Sequence, residues 1–174
     1  MVASKYVITA AHCLVDRNRK PKMQAKDLFV NIGDHNLRHP ETGKMVKVKR
    51  IHNHHKYNPR RVENGFDISI LELAEELDLD KHTPACLAKR TDGTKFDGKR
   101  ATVAGWGKMA DGRWSWPRVP HEVDIPVIPS RRCRHSAGPS VICAGSRGKD
   151  ACSVRFINHG WIFFFFWYFS ANIF

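Results

Sequence analysis

An acidic residue stands at the mouth of an apolar run. Phe66-Asp67-Ile68-Ser69-Ile70-Leu71-Glu72-Leu73 alternates as a strand does, so that one face would be buried. A buried carboxylate without a partner costs several kcal/mol. A chain that buries Asp67 therefore has to bring it a cation or a hydrogen-bond donor. One segment offers such a group: Tyr6-Val7-Ile8-Thr9-Ala10-Ala11-His12-Cys13. It begins with β-branched and aromatic residues, as strands do. Two alanines follow, small enough for close packing, and then His12 is presented beside Cys13. Histidine is the side chain best suited to take and return a proton near neutral pH. Pairing His12 with Asp67 requires a fold that joins segments about 55 residues apart. Without that pairing, Asp67 reads as a turn residue before a strand, and His12 as an incidental surface histidine.

The 174 residues fit one domain with a real hydrophobic core. Lys plus Arg number 29 against 17 Asp plus Glu, a net charge of +12. Such a surface favours polyanions such as heparin-like glycans, nucleic acid or acidic membranes; the plain alternative is a solvated basic face without a partner. The five cysteines, Cys13, Cys86, Cys133, Cys143 and Cys152, form no C-x-x-C pair, which argues against a zinc site. Their odd number points to lost partners. Met1-Val2-Ala3-Ser4-Lys5 lacks the features of a signal peptide, and the chain opens just before a strand, as though an upstream segment were missing.

Asp16 to Lys22 is a basic, turn-rich loop. Leu28 to Gly33 reads as a strand ending at a glycine. Val46, Val48 and Ile51 alternate with lysines and Arg50, as in a half-exposed strand. His52, His54 and His55 lie close together, but no carboxylate or cysteine is near enough in sequence to complete a metal site. Arg50, Lys56, Arg60 and Arg61 form the best candidate for a polyanion patch. Trp114 and Trp116 lie on a loop from which no function is drawn. His121 to Ile128 alternates as a further strand. Trp161 to Phe169 is an unbroken apolar run of nine residues. A bilayer span needs about 20, so it is too short to cross, and exposed it is an aggregation hazard.

Five motifs, in order, carry a resemblance to trypsin-like serine endopeptidases of the chymotrypsin fold. They are Tyr6 to Cys13, Phe66 to Leu73, Ala101-Thr102-Val103-Ala104-Gly105-Trp106-Gly107, Ile142-Cys143-Ala144-Gly145, and Gly148-Lys149-Asp150-Ala151-Cys152. His55-Lys56-Tyr57-Asn58-Pro59 and Pro84-Ala85-Cys86-Leu87 resemble the turn before the family's aspartate and its inter-barrel crossing. The resemblance covers residues 2 to 152. It implies an all-β fold of two six-stranded antiparallel barrels with the active site between them. Here the double barrel would be incomplete, truncated at both ends, with 1–152 a partial peptidase domain and 153–174 an unrelated tail. It further implies that His12 is the general base, that Asp67 orients it, and that Asp150 lies at the base of the primary specificity pocket, where a desolvated carboxylate selects Lys or Arg. A disulfide between Cys133 and Cys143 and a secreted, extracellular location follow from the same resemblance. Some members bind calcium after the strand ending at Gly33. Asp34 and Glu41 could serve as ligands, but Lys44 falls where another carboxylate is wanted and repels a hard cation. No metal or cofactor is expected, nor a specific nucleic acid or a membrane span; a protein or peptide substrate is.

The resemblance stops at Cys152. Where the family continues Gln-Gly-Asp-Ser-Gly-Gly-Pro, this chain reads Ser153-Val154-Arg155-Phe156-Ile157-Asn158-His159. Phe156 stands at the nucleophile's place, Val154 at the oxyanion-hole glycine, and Arg155 at the aspartate that receives the freed amino terminus. Without a hydroxyl beside His12 nothing attacks a peptide carbonyl. Each lost oxyanion donor costs about 3 to 4 kcal/mol. Ser153 lies three residues too early to substitute. The expectations are thus three: a fragment of a secreted Lys/Arg-directed endopeptidase, inactive as written; a non-catalytic homologue that binds a partner or polyanion; or a chain without function.

Overall fold

The computed structural model describes residues 1–38, 43–61, 64–87, 96–106, 117–132 and 142–145. Among them the regular elements are β-strands and single 3-10 turns. They fall into two compact units, one built from residues 1–61 and 66–87 and the other from residues 64–65 and the described residues beyond 95.

The first unit is a four-stranded antiparallel sheet. Its strands are β1 (Tyr6–Thr9), β2 (Phe29–Ile32), β3 (Lys44–Asn53) and β4 (Ser69–Leu73), in spatial order β1-β4-β3-β2. The register matches apolar partners across the ladder: Val7 faces Leu71, Val30 faces Val46, and Val48 faces Leu73. All six are buried, and each contributes about 1.5 to 3 kcal/mol by leaving water. The expected alternation on β3 is realised around Val46 and Val48, which are buried between exposed Lys47 and Lys49, while Ile51 beyond exposed Arg50 is only partly buried. β3 pairs with β2 along its first half and with β4 along its second. Between Val48 and Arg50 it advances two residues against one on β4. Such a bulge bends the strand and increases its twist, which curls the sheet as a barrel wall requires. β2 stops at Gly33, whose φ of +87° belongs to the left-handed region that glycine enters freely.

One strand is shorter than the sequence suggests. The apolar run at Phe66 does not enter the ladder until Ser69. Phe66 has a φ of +61°, a left-handed conformation incompatible with an extended strand. Asp67 therefore occupies the turn that feeds β4.

The second unit holds β5 (Arg100–Gly105), β6 (His121–Ile128) and β7 (Cys143–Ala144), antiparallel and in that spatial order. Ala101, Ile125 and Val127 form its buried centre, with Phe96, Val103, Val123, Ile142 and Ala144 packed against them. The architecture is that of an incomplete double antiparallel β-barrel. The apolar segment 153–174 lies outside the described residues.

Candidate active site

Strand pairing brings the two candidate residues to one end of the first sheet. Thr9, the last residue of β1, lies opposite Ser69, the first of β4. His12 follows β1 by three residues and Asp67 precedes β4 by two, so both emerge at the same end. Ala10 is still extended (φ −80°, ψ 137°), and Ala11–Cys13 then closes a 3-10 turn. Ala11 is fully buried and Cys13 nearly so. The turn packs on these two small side chains and leaves the His12 side chain 43 % exposed.

The Asp67 carboxylate holds His12 at two points. The His12 backbone N–H donates to Oδ1 at 2.8 Å. The ring nitrogen Nδ1 lies 2.5 Å from Oδ2. One oxygen thus fixes the main chain and the other fixes the ring. With Nδ1–H committed to a carboxylate, Nε2 is the nitrogen left to accept and return a proton. Lys22 also fastens the turn, donating from Nζ to the His12 carbonyl at 2.7 Å.

The two ionisations are coupled. The hydrogen bond to Asp67 raises the His12 imidazolium to about 10, with the Cys13 side chain adding to it and burial opposing it. Burial alone would push Asp67 up; the hydrogen bonds from the His12 ring and backbone outweigh it, and the carboxyl ends below its ordinary value of 3.8. Buried Tyr57 lies in the same field. Burial, followed by repulsion from the Asp67 carboxylate, pushes its phenol up to about 12. Its hydroxyl has no hydrogen-bond partner among the described residues.

Cys143 begins β7 and is disulfide-bonded. Cys133, its partner on the sequence expectation, lies outside the described residues, as do Asp150, Cys152, Ser153 and Phe156. Cys13 and Cys86 are free thiols, one buried and one exposed. The basic residues expected to act together are engaged separately. Arg50 approaches Glu72 at 3.5 Å, Lys56 lies over the Phe66 ring, and Arg60 donates to the Arg17 carbonyl and the Asn18 side chain. No group of His, Cys, Asp and Glu among the described residues could hold a metal ion. The contacts of Lys22, the burial of Tyr57 and the left-handed conformation of Phe66 are not evident from the sequence. Only Tyr57 carried a signal, through its place in the turn motif; nothing marks a loop lysine as the one that reaches a histidine carbonyl.

Fold and geometry together define the chymotrypsin class: an antiparallel barrel wall that carries a histidine clamped by an aspartate. The trypsin family model matches residues 1–153, and the chain belongs to that family. It is 35 % identical to the serine protease filzig of Drosophila melanogaster over 87 % of its length, covering 9 % of that protein. It is 29 % identical to human kallikrein-8, covering 87 % of this chain and 56 % of the relative. Trypsin Blo t 3 of Blomia tropicalis is 27 % identical, with 87 % and 58 % covered. The structure of neuropsin, a serine protease of mouse brain, superposes with a TM-score of 0.65 at 24 % identity, over 84 % of this chain and 62 % of that one. The chain thus spans less than two thirds of each of these relatives.

Proposed function

We propose that the chain represents the peptidase domain of a secreted, trypsin-like endopeptidase that cleaves after Lys or Arg. The clamped His12–Asp67 pair carries this reading. Nε2 of His12 would take the proton of a serine hydroxyl and hand it to the leaving amine. Asp67 would fix the tautomer and balance the imidazolium. Asp150 would lie beneath the substrate's basic side chain, and Cys133 would pair with Cys143. Location outside the cell is in keeping with the disulfide at Cys143. No helix among the described residues is long and apolar enough to cross a membrane.

The chain as written would not perform the reaction, because Phe156 occupies the nucleophile's place in the motif. A fluorophosphonate probe, which reacts with activated serines, should leave the purified chain unlabelled. Sequencing the source RNA across the Cys152 codon decides between parent and homologue. Continuation into Gly-Asp-Ser-Gly-Gly-Pro makes the parent an active protease; confirmation of the Phe-rich continuation removes triad hydrolysis.

The exposed lysines of β3 favour a second reading, a non-catalytic homologue that binds a sulfated glycan. Lys44, Lys47, Lys49 and Arg50 are all exposed, Lys44 beside Glu75 and Lys49 and Arg50 beside Glu72, and the chain carries +12. Counterion release makes such binding fall with added salt. Retention on heparin beyond that on a cation exchanger of equal charge density supports it, and equal retention refutes it.

A further inference from the structure

Asp67 is the central residue of a three-residue turn, closed by the Ile68 N–H donating to the Phe66 carbonyl at 2.8 Å. Both flanks of that turn are held by His54. The His54 ring stacks on Phe66, with centroids 4.9 Å apart and planes 14° from parallel. The His54 backbone N–H donates to the Ile68 carbonyl at 3.1 Å. The ring is itself locked: its Nδ1 accepts the Lys56 N–H at 3.2 Å, and its other neighbour is the His55 ring, 4.8 Å away. The Lys56 ammonium lies 5.5 Å from the centre of the Phe66 ring, within cation–π reach.

Phe66 needs this grip. Its φ of +61° is unfavourable for a bulky side chain, and such conformations persist only where the surroundings over-determine them. Without the stack, Phe66 would relax to negative φ and re-aim the peptide that leads into Asp67. Strand β4 cannot prevent that, because it begins only at Ser69.

We propose that His54 is a positioning residue: by stacking on Phe66 and bonding to Ile68 it fixes the turn that aims the Asp67 carboxylate at His12. The inference rests on the reading of His12 and Asp67 as an acid–base pair, and it adds the residue that keeps the pair in register. In this role His54 acts through Asp67 and not on the His12 ring itself.

The test reads the His12 ring rather than hydrolysis, so it stands apart from whether the chain or its parent is active. The full chain is labelled with 15N-histidine, and His12 is assigned among the ten histidines by its absence in His12→Gln. Three observables follow: the His12 pKa, its downfield Nδ1 proton resonance, and the unfolding midpoint. In His54→Ala the His12 pKa should fall from its raised value towards the ordinary 6.5, and the downfield resonance should broaden or vanish. His54→Phe retains the stack and should restore both, even where its stability equals that of the alanine variant. Should His54→Ala not fold, Phe66→Ala replaces it. Alanine loses the stack but keeps a Cβ that disfavours left-handed φ, so the turn should relax and the His12 pKa should again fall. A folded His54→Ala or Phe66→Ala with unchanged His12 pKa and resonance overturns the proposal, as does a folded His54→Phe that behaves like His54→Ala.

Discussion

Replacing Asp67 by asparagine keeps the shape of the side chain and removes its charge. The amide oxygen still accepts the His12 N–H now bonded at 2.8 Å. The amide NH2, however, is a donor facing Nδ1, which lies 2.5 Å from the carboxylate in the wild type. The ring can satisfy that donor only in the opposite tautomer, with the proton on Nε2, where it cannot act as a base. A hydrogen bond between charged partners contributes about 1.5 to 3 kcal/mol. His12 is 43 % and Asp67 30 % exposed, so water screens the pair, and about 1 to 2 kcal/mol is the loss to expect. The pH dependence identifies its origin. His12 is raised from 6.5 to about 10, so its contribution is complete below 6.5 and disappears as pH rises through 10. Asp67 is lowered from 3.8, so its contribution is complete above 3.8 and is lost as pH falls through its depressed value. Urea unfolding of wild type and Asp67→Asn should therefore differ most between pH 3.8 and 6.5 and converge above 10. An equal difference at both ends of the alkaline range would refute the ion-pair account and leave packing as the cause.

Other expectations concern the sheet and its surface. Leu71→Ala opens a cavity at a fully buried site on β4 and should cost about 2 to 5 kcal/mol in denaturant unfolding. Ala11→Leu overfills the 3-10 turn beneath His12, where Ala11 has no exposed surface. It should cost about 1 to 3 kcal/mol and also displace the His12 ring resonance, which distinguishes it from a remote core change. Glu72 draws Lys49, Arg50 and His52 to within 3.5 Å or less, while its own side chain is only 11 % exposed. Glu72→Gln should lower the unfolding midpoint and, if β3 binds a sulfated glycan, raise the salt needed to elute the chain from heparin.

Strands were legible in the sequence because their alternation reports burial directly. Val46 and Val48 against Lys47 and Lys49 could belong to no other element, and the structure places them in and out accordingly. The association of His12 with Asp67 was legible because a carboxylate at an apolar strand needs a partner. What escaped was conformation that no local preference announces. Phenylalanine seldom adopts positive φ, so the run from Phe66 read as continuous strand, whereas contacts from His54 override that preference. Likewise the stretch with three neighbouring histidines reads as the turn before the aspartate rather than as a metal site, but its side-chain contacts are not legible. Their actual interactions, His54 and His55 stacked and His52 beside Glu72, follow from β3 ending at Asn53, which sends His52 to the sheet surface and His54 to the turn.

A ladder brings the two halves of the pair to the same end of the sheet. Thr9 opposite Ser69 fixes the ends of β1 and β4, and Ser69 is secured in turn by its hydroxyl donating to the Asn53 side chain at 2.5 Å. A one-residue slip between β1 and β4 would carry His12 about 3.3 Å along the strand axis, beyond reach of Oδ2. It would also turn Val7 and Leu71 to the wrong face, so burial of the sheet and alignment of the pair are enforced by the same register. Among the described residues, the hydrogen bonds that hold His12 and Asp67 come from the first unit. The nucleophile's place, by motif, lies at Phe156. A chain can therefore lose the attacking group and still retain the clamped histidine, because the described contacts of the clamp, from Asp67 and Lys22, do not involve that place. Retention of a correctly titrating His12 in this chain would accordingly report the integrity of the first sheet and would carry no information on whether peptide bonds are cut.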